Sequence, residues 1–153
     1  MRILIAAIGR FRAGPERDLF QTYIERSRWA VELKELDLKG KTNESQRKTK
    51  ESALLAEAIP DGAITVALDE KGKALTSNEF ARKIGSWQSD GRSSFVFLIG
   101  GADGLTDDLR RRADLVMSFG AATWPHMLVR PMLAEQLYRA ETILAGHPYH
   151  RRG

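Results

Sequence analysis

The last eight residues, "GHPYHRRG" from Gly146 to Gly153, hold two of the three histidines of this chain together with a tyrosine and two arginines. Tyr149 can stack on an unpaired base, and Arg151 and Arg152 can pair with phosphates, the combination used on single-stranded RNA; a disordered basic tail has the same composition. His147 and His150 have the two-residue separation of some metal ligands. Pro148 prevents the regular helix that would align them, and no cysteine or nearby carboxylate offers a third ligand, so a metal site is not expected.

Three further groups could do chemistry. Gly100, Gly101 and Gly104 follow an apolar run, where a backbone without side chains can approach a cofactor or simply turn tightly. Their G-G-x-x-G spacing is not that of a dinucleotide fingerprint, which disfavours a nicotinamide oxidoreductase. "GAATWP", Gly120 to Pro125, puts small residues beside a flat indole, a composition that could wrap an adenine or serve as a bare connector. His126 follows at a helix start, as a substrate ligand or a structural histidine. Arg130 and Arg139, nine apart, fall on similar but not identical helix faces, and solvent exposure is the ordinary expectation for both.

The frame for these groups is one domain of 153 residues with net charge +4, an excess that favours a polyanionic partner without requiring one. Absence of cysteine excludes thiolate nucleophiles, disulfides and cysteine-ligated clusters. "MRILIAAIGR" is too short an apolar run for a membrane span and lacks a cleavage region, so a soluble, cytoplasmic protein is expected. No internal repeat or domain linker is evident.

Strand and helix patterns alternate along the chain. "RILIAAIG" reads as a buried strand, "PERDLFQTYIERSR" as a helix with Pro15 in its first turn, and Val31 and Leu33 as a second strand continuing through Leu36 and Leu38. Lys39 to Lys50 is polar and basic, a candidate mobile loop, before a helix in "ESALLAEAI" and a strand in "ITVAL". Thr76 and Glu79 have capping-box spacing ahead of a stripe of Phe80, Ile84 and Trp87, and "FVFLIG" is another buried strand. Thr106 can start a short helix and "DLVMSF" is a last strand. A long C-terminal helix carries Leu133, Leu137, Tyr138 and Leu144 to a stop at Gly146. The alternation implies an α/β fold with a mostly parallel sheet.

In this order the motifs "LDEKGK" with "LTSNEFA", "FLIGGADGL", "PHMLVRPMLAEQLYRA" and terminal "HPYHR" resemble the ribosomal RNA large-subunit methyltransferase H family within the SPOUT methyltransferases, over essentially the whole chain. The resemblance implies a single-domain SPOUT-type fold over residues 1–153, helices on both sheet faces, a C-terminal trefoil knot and a homodimer. It implies methyl transfer from S-adenosylmethionine to N3 of a pseudouridine in helix 69 of 23S rRNA, on the assembled 70S ribosome and without a metal. A non-catalytic ribosome-binding protein that keeps the fold is the alternative.

Carried over by motif, Leu68, Gly101 and the stretch Gly120, Ala121, Ala122, Thr123, Trp124, Pro125 are the implied cofactor pocket. His126, Arg130, Tyr149 and His150 are implied in catalysis, and Arg139, Arg151 and Arg152 in holding RNA. Direct displacement at a sulfonium carbon needs alignment and loss of the N3 proton; His126 or His150 is the expected acceptor, with arginine stabilising the ring anion. Lys39 to Lys50 and Arg110 to Arg112 are expected to meet phosphates. Ala102 and Asp103 stand where the family commonly has Pro-Glu, and Pro131 is expected to kink the helix that carries His126 and Arg130.

Overall fold

The computed structural model describes residues 1–152, with Arg152 described through its backbone alone. Five strands alternate with five helices: β1 (Arg2–Ile8), α1 (Pro15–Arg26), β2 (Ala30–Leu36), α2 (Glu44–Ala58), β3 (Ile64–Ala74), α3 (Ser77–Ser89), β4 (Ser94–Ile99), α4 (Asp107–Arg112), β5 (Leu115–Ser118) and α5 (His126–Ala145). A 3-10 turn over Pro148–Arg152 follows. The strands form one sheet in the order β2-β1-β4-β3-β5, every neighbouring pair parallel.

Period-two alternation divides the core between the two faces of that sheet. Ile3, Ile5 and Ala7 of β1 and Phe95, Phe97 and Ile99 of β4 pack with Phe20 of α1, Phe80 and Ile84 of α3, and Leu133 and Leu137 of α5. The intervening Ala6, Ile8, Val96 and Leu98 pack with Leu55 of α2 and Leu109 of α4. Helices α1 and α3 connect strands in one direction along the sheet and share a face. Helices α2 and α4 connect in the opposite direction and share the other, as a single crossover hand demands.

Local sequence sets most helix ends. Thr76 accepts from the Glu79 N–H while Glu79 accepts from the Thr76 N–H, closing the capping box, and Thr106 caps α4 through the Leu109 N–H. α5 ends on Gly146 in the left-handed region. The segment Lys39–Lys50 differs from the expected loop: Asn43 accepts from the Gln46 N–H, and α2 begins at Glu44, so Arg47, Lys48 and Lys50 are helical. Its first two turns carry good helix formers but no apolar stripe, so hydrophobic periodicity does not reveal them. α5 runs through Pro131 without a break; the imide nitrogen leaves the Met127 carbonyl without its helical donor early in the helix.

β3 also continues past the apolar run. Leu68 and Lys73 both pair with Met117 of β5, so residues 69–72 make an excursion between two stretches of strand. A Cβ at Gly72 would lie 2.6 Å from the backbone N and C of Met117, atoms that cannot rotate aside. Gly72→Ala is therefore expected to cost about 1–3 kcal/mol and lower Tm by roughly 5 °C, read by thermal unfolding. An unchanged melting curve would show that the β3 excursion moves freely.

Candidate active site

The C-terminal ends of β3, β4 and β5 open together. From β3 the chain leaves for α3 on one face, and from neighbouring β4 it leaves for α4 on the other, so a crevice must form where the two exits part. A cavity of about 300 Å³ fills it. Leu68 to Lys71, the loop from Gly100 to Leu105, and Met117 to Gly120 form its floor and walls, and Ala122, Thr123, Trp124, His126 and Val129 form its rim.

The walls are fastened from outside. Arg110 donates to the Leu105 carbonyl at 2.6 Å and pairs with Asp69 at 3.3 Å, both side chains largely buried, so the exits of β3 and β4 are tied together. Arg47 of α2 makes bonds of 2.6 and 3.1 Å to Asp103, and this guanidinium holds the Asp103 carboxyl below the usual carboxylate range. Ser52 accepts from the Thr106 N–H at 3.1 Å. A Cβ at Gly101 would fall 2.8 Å from Glu51 Oε1 of α2, so any side chain there would have to displace that carboxylate. Trp124 is 42% exposed, and its indole N–H donates to the Phe119 carbonyl at 3.2 Å, bracing the rim.

The cavity brings together Leu68, Gly101, Gly120, Ala122, Thr123, Trp124 and His126. Ala121 and Pro125 belong to the same rim segment but do not line it. Arg130 departs most from expectation. Instead of facing solvent or substrate it is fully buried, donating to the carbonyls of Ile8 and Gly9 at 2.8 Å each, with its guanidinium 5.0 Å from the Phe11 ring centroid and 3.7 Å from Glu35. It anchors the start of α5 to the end of β1, one turn beyond His126, and does not itself line the cavity.

The described part of the tail packs against its own chain. Tyr149 stacks on Tyr138, centroids 4.7 Å apart and planes 6° off parallel, and its hydroxyl lies 3.1 Å from Glu135 and 3.4 Å from Tyr23. Burial and these two neighbours push the phenol up. Arg139 donates to Glu135 at 2.6 and 2.9 Å and covers the Tyr149 ring; His150 is half-buried and Arg151 exposed. The Arg152 side chain lies outside the described residues. None of Arg139, Tyr149, His150 and Arg151 lines the cavity.

Beside this cluster runs an apolar groove of about 240 Å³ between α1 and α5, containing Leu19, Leu128, Pro131 and Met132; Tyr23 and Glu135 join it to the tail, and Phe119 joins it to the cavity.

Sequence reasoning missed the fasteners Arg47, Asp69 and Asp103, whose pairings join distant segments, and the buried carboxylate of Glu51 behind Gly101. Asp103, which with Ala102 stands where the family commonly has Pro-Glu, is half of a wall-holding ion pair. Arg110, expected to meet RNA phosphate, is occupied by Asp69, Asp107 and the Leu105 carbonyl; Arg111 pairs with Asp108 on the surface.

A family model described as "Predicted SPOUT methyltransferase" matches residues 1–150. The ribosomal RNA large subunit methyltransferase H of Rhodospirillum centenum is 54% identical over 151 residues, 99% of each chain, and that of Paramagnetospirillum magneticum is 53% identical over the same share. The SpoU methyltransferase AviRb from Streptomyces viridochromogenes, solved in complex with the cofactor AdoMet, aligns at a TM-score of 0.44 and 13% identity, over 92% of this chain and 57% of that one. On full-length identity to these relatives and the match of the family model, the chain belongs to the SPOUT methyltransferases, in the ribosomal RNA large subunit methyltransferase H family.

Proposed function

We propose that the rRNA methyltransferase activity of this family is directed, in this chain, at N3 of a pseudouridine in the helix 69 stem-loop of 23S rRNA, within the assembled 70S ribosome, with S-adenosylmethionine as methyl donor. The observation that carries the reading is the cavity, where seven of the motif-implied residues converge on one crevice. Its chemistry suits the donor. Backbone groups of residues 100–104 and 118–123 can bond adenine and ribose, Leu68 and Trp124 give apolar cover, and an orphaned carboxylate oxygen of Glu51 lies behind Gly101.

When bound, S-adenosylmethionine supplies a methyl carbon activated by its sulfonium. The protein's task is alignment and removal of the N3 proton. We assign acceptance of that proton, directly or through one water, to His126, which lies on the cavity rim. Arg130 fixes the first turns of α5 and hence His126. Neutralising the ring anion then falls to Arg139 or Arg151.

Those arginines, with Tyr149 and His150, stand away from the cavity of their own chain. The apolar groove between tail and cavity supports a homodimer in which each copy lends its tail to the other's cavity. The C-terminal trefoil knot implied by the resemblance belongs to the same proposal. Among the described residues no helix is long and apolar enough to cross a membrane. A cytoplasmic location, where the ribosomal substrate resides, completes the reading.

The test is transfer of labelled methyl to unmodified 70S ribosomes, free large subunits and protein-free rRNA, with the product mapped by mass spectrometry. Label at a helix 69 pseudouridine in 70S particles alone is expected. Tight binding of S-adenosylmethionine with no labelled RNA would overturn the substrate and leave a different acceptor or a non-catalytic ribosome-binding protein.

A further inference from the structure

Glu51 belongs to none of the motifs above, yet its position is unusual for an acid. Only 8% of the residue is exposed, and its Oε1 is buried without a hydrogen-bond partner. A desolvated carboxylate oxygen left in that state is costly unless a charge answers it. The carboxylate is pressed against Gly101, with Oε1, Oε2 and Cδ at 2.8, 3.0 and 3.2 Å from where a Cβ would stand, and Gly101 is itself a wall of the cavity. One residue without a side chain therefore separates this carboxylate from whatever the cavity holds.

The other acids at the cavity are already answered. Asp69 is paired with Arg110 and Asp103 with Arg47, while Glu70 is exposed and screened by water. We propose that Glu51 is the counter-charge of the cavity, stabilising a cationic ligand through the Gly101 wall and so discriminating the sulfonium donor from its neutral thioether product. The inference rests on the methyl-donor reading given above. Burial and the Asp103 carboxylate push Glu51 above the usual carboxylate range, while Arg47 pulls it down; a cation across the wall favours the anion further. The consequence for turnover is direct, because a site that prefers the cation releases the spent donor once methyl transfer has removed its charge.

The pair that tests this is S-adenosylmethionine and S-adenosylhomocysteine, which differ at sulfur by one methyl group and one positive charge. Calorimetric titration of the full-length protein and its Glu51→Gln variant with each compound separates charge from shape. Glutamine keeps the volume of the side chain and removes only its charge. A carboxylate acting across one glycine in a partly buried site makes an expected difference of about tenfold in affinity for S-adenosylmethionine, with S-adenosylhomocysteine bound as before. Binding of the neutral compound doubles as proof that the variant cavity is folded.

Equal losses for both compounds, or no loss for either, would overturn the proposal and reduce Glu51 to a packing residue. Wild-type protein that binds neither compound would remove the methyl-donor reading itself and this inference with it. A Glu51→Asp variant, which keeps the charge and withdraws it by one methylene, is expected to keep most of the discrimination; loss of it as complete as in the glutamine variant would also count against the counter-charge.

Discussion

Replacing Arg130 by alanine is expected to lower the free energy of unfolding by about 3–5 kcal/mol and Tm by roughly 10 °C. The guanidinium is fully buried, is the donor to the Ile8 and Gly9 carbonyls, and lies over the Phe11 ring, so truncation leaves buried acceptors without that donor as well as a void. Both carbonyl bonds leave the one nitrogen Nη2, so lysine should restore part of the loss where its ammonium reaches that point, while the flat guanidinium cover of the Phe11 ring stays lost. His126 and Val129 on the same turns line the cavity, so affinity for the methyl donor should fall with stability. Chemical denaturation of the alanine and lysine variants measures the first effect and titration the second. A loss below about 1 kcal/mol, with turnover abolished, would return Arg130 to direct catalysis.

Ending the chain after His147 should have the opposite pattern. The cut keeps Gly146 and the bond from the His147 N–H to the Thr142 carbonyl, so α5 still terminates normally. It removes Tyr149, His150 and Arg151, none of which lines the cavity. Methyl transfer to ribosomes is expected to drop at least 100-fold, about 2.7 kcal/mol in transition-state stabilisation, with affinity for S-adenosylmethionine changed by less than a factor of two. Loss of the Tyr138 stacking partner should cost only about 1 kcal/mol of stability. If donor affinity fell in parallel with activity, the tail would belong to the cofactor pocket; if activity persisted, it would have no part in the RNA site.

The contrast between these variants follows from how chemistry is distributed. His126 and Arg130 are neighbours in a motif but face different surroundings, one on the cavity rim and one inside the domain. Tyr149, implied in catalysis, and Arg139, implied in holding RNA, do meet, but with Glu135 and Tyr23 on the flank of α5 rather than at the cavity. A motif says that residues matter together. Which side of a helix each occupies depends on what packs against that helix.

What the sequence determined by itself is local or periodic. Alternation of Ile3, Ile5 and Ala7 against Ala6 and Ile8 gives a strand buried on both faces, Thr76 with Glu79 and Thr106 start two helices, and Gly146 stops a third, because these signals act within a few residues. The family was legible too, since its motifs keep their order along the whole chain. Tertiary structure alone decided the rest. Arg130 meets Ile8 across 122 positions, Arg47 meets Asp103 across 56, and Glu51 meets Gly101 only because α2 packs behind the loop that leaves β4. Charged residues carry no hydrophobic period to announce such meetings. Whether an arginine is solvated, paired or buried is fixed when the crossovers lay distant segments side by side, and the local sequence is compatible with all three.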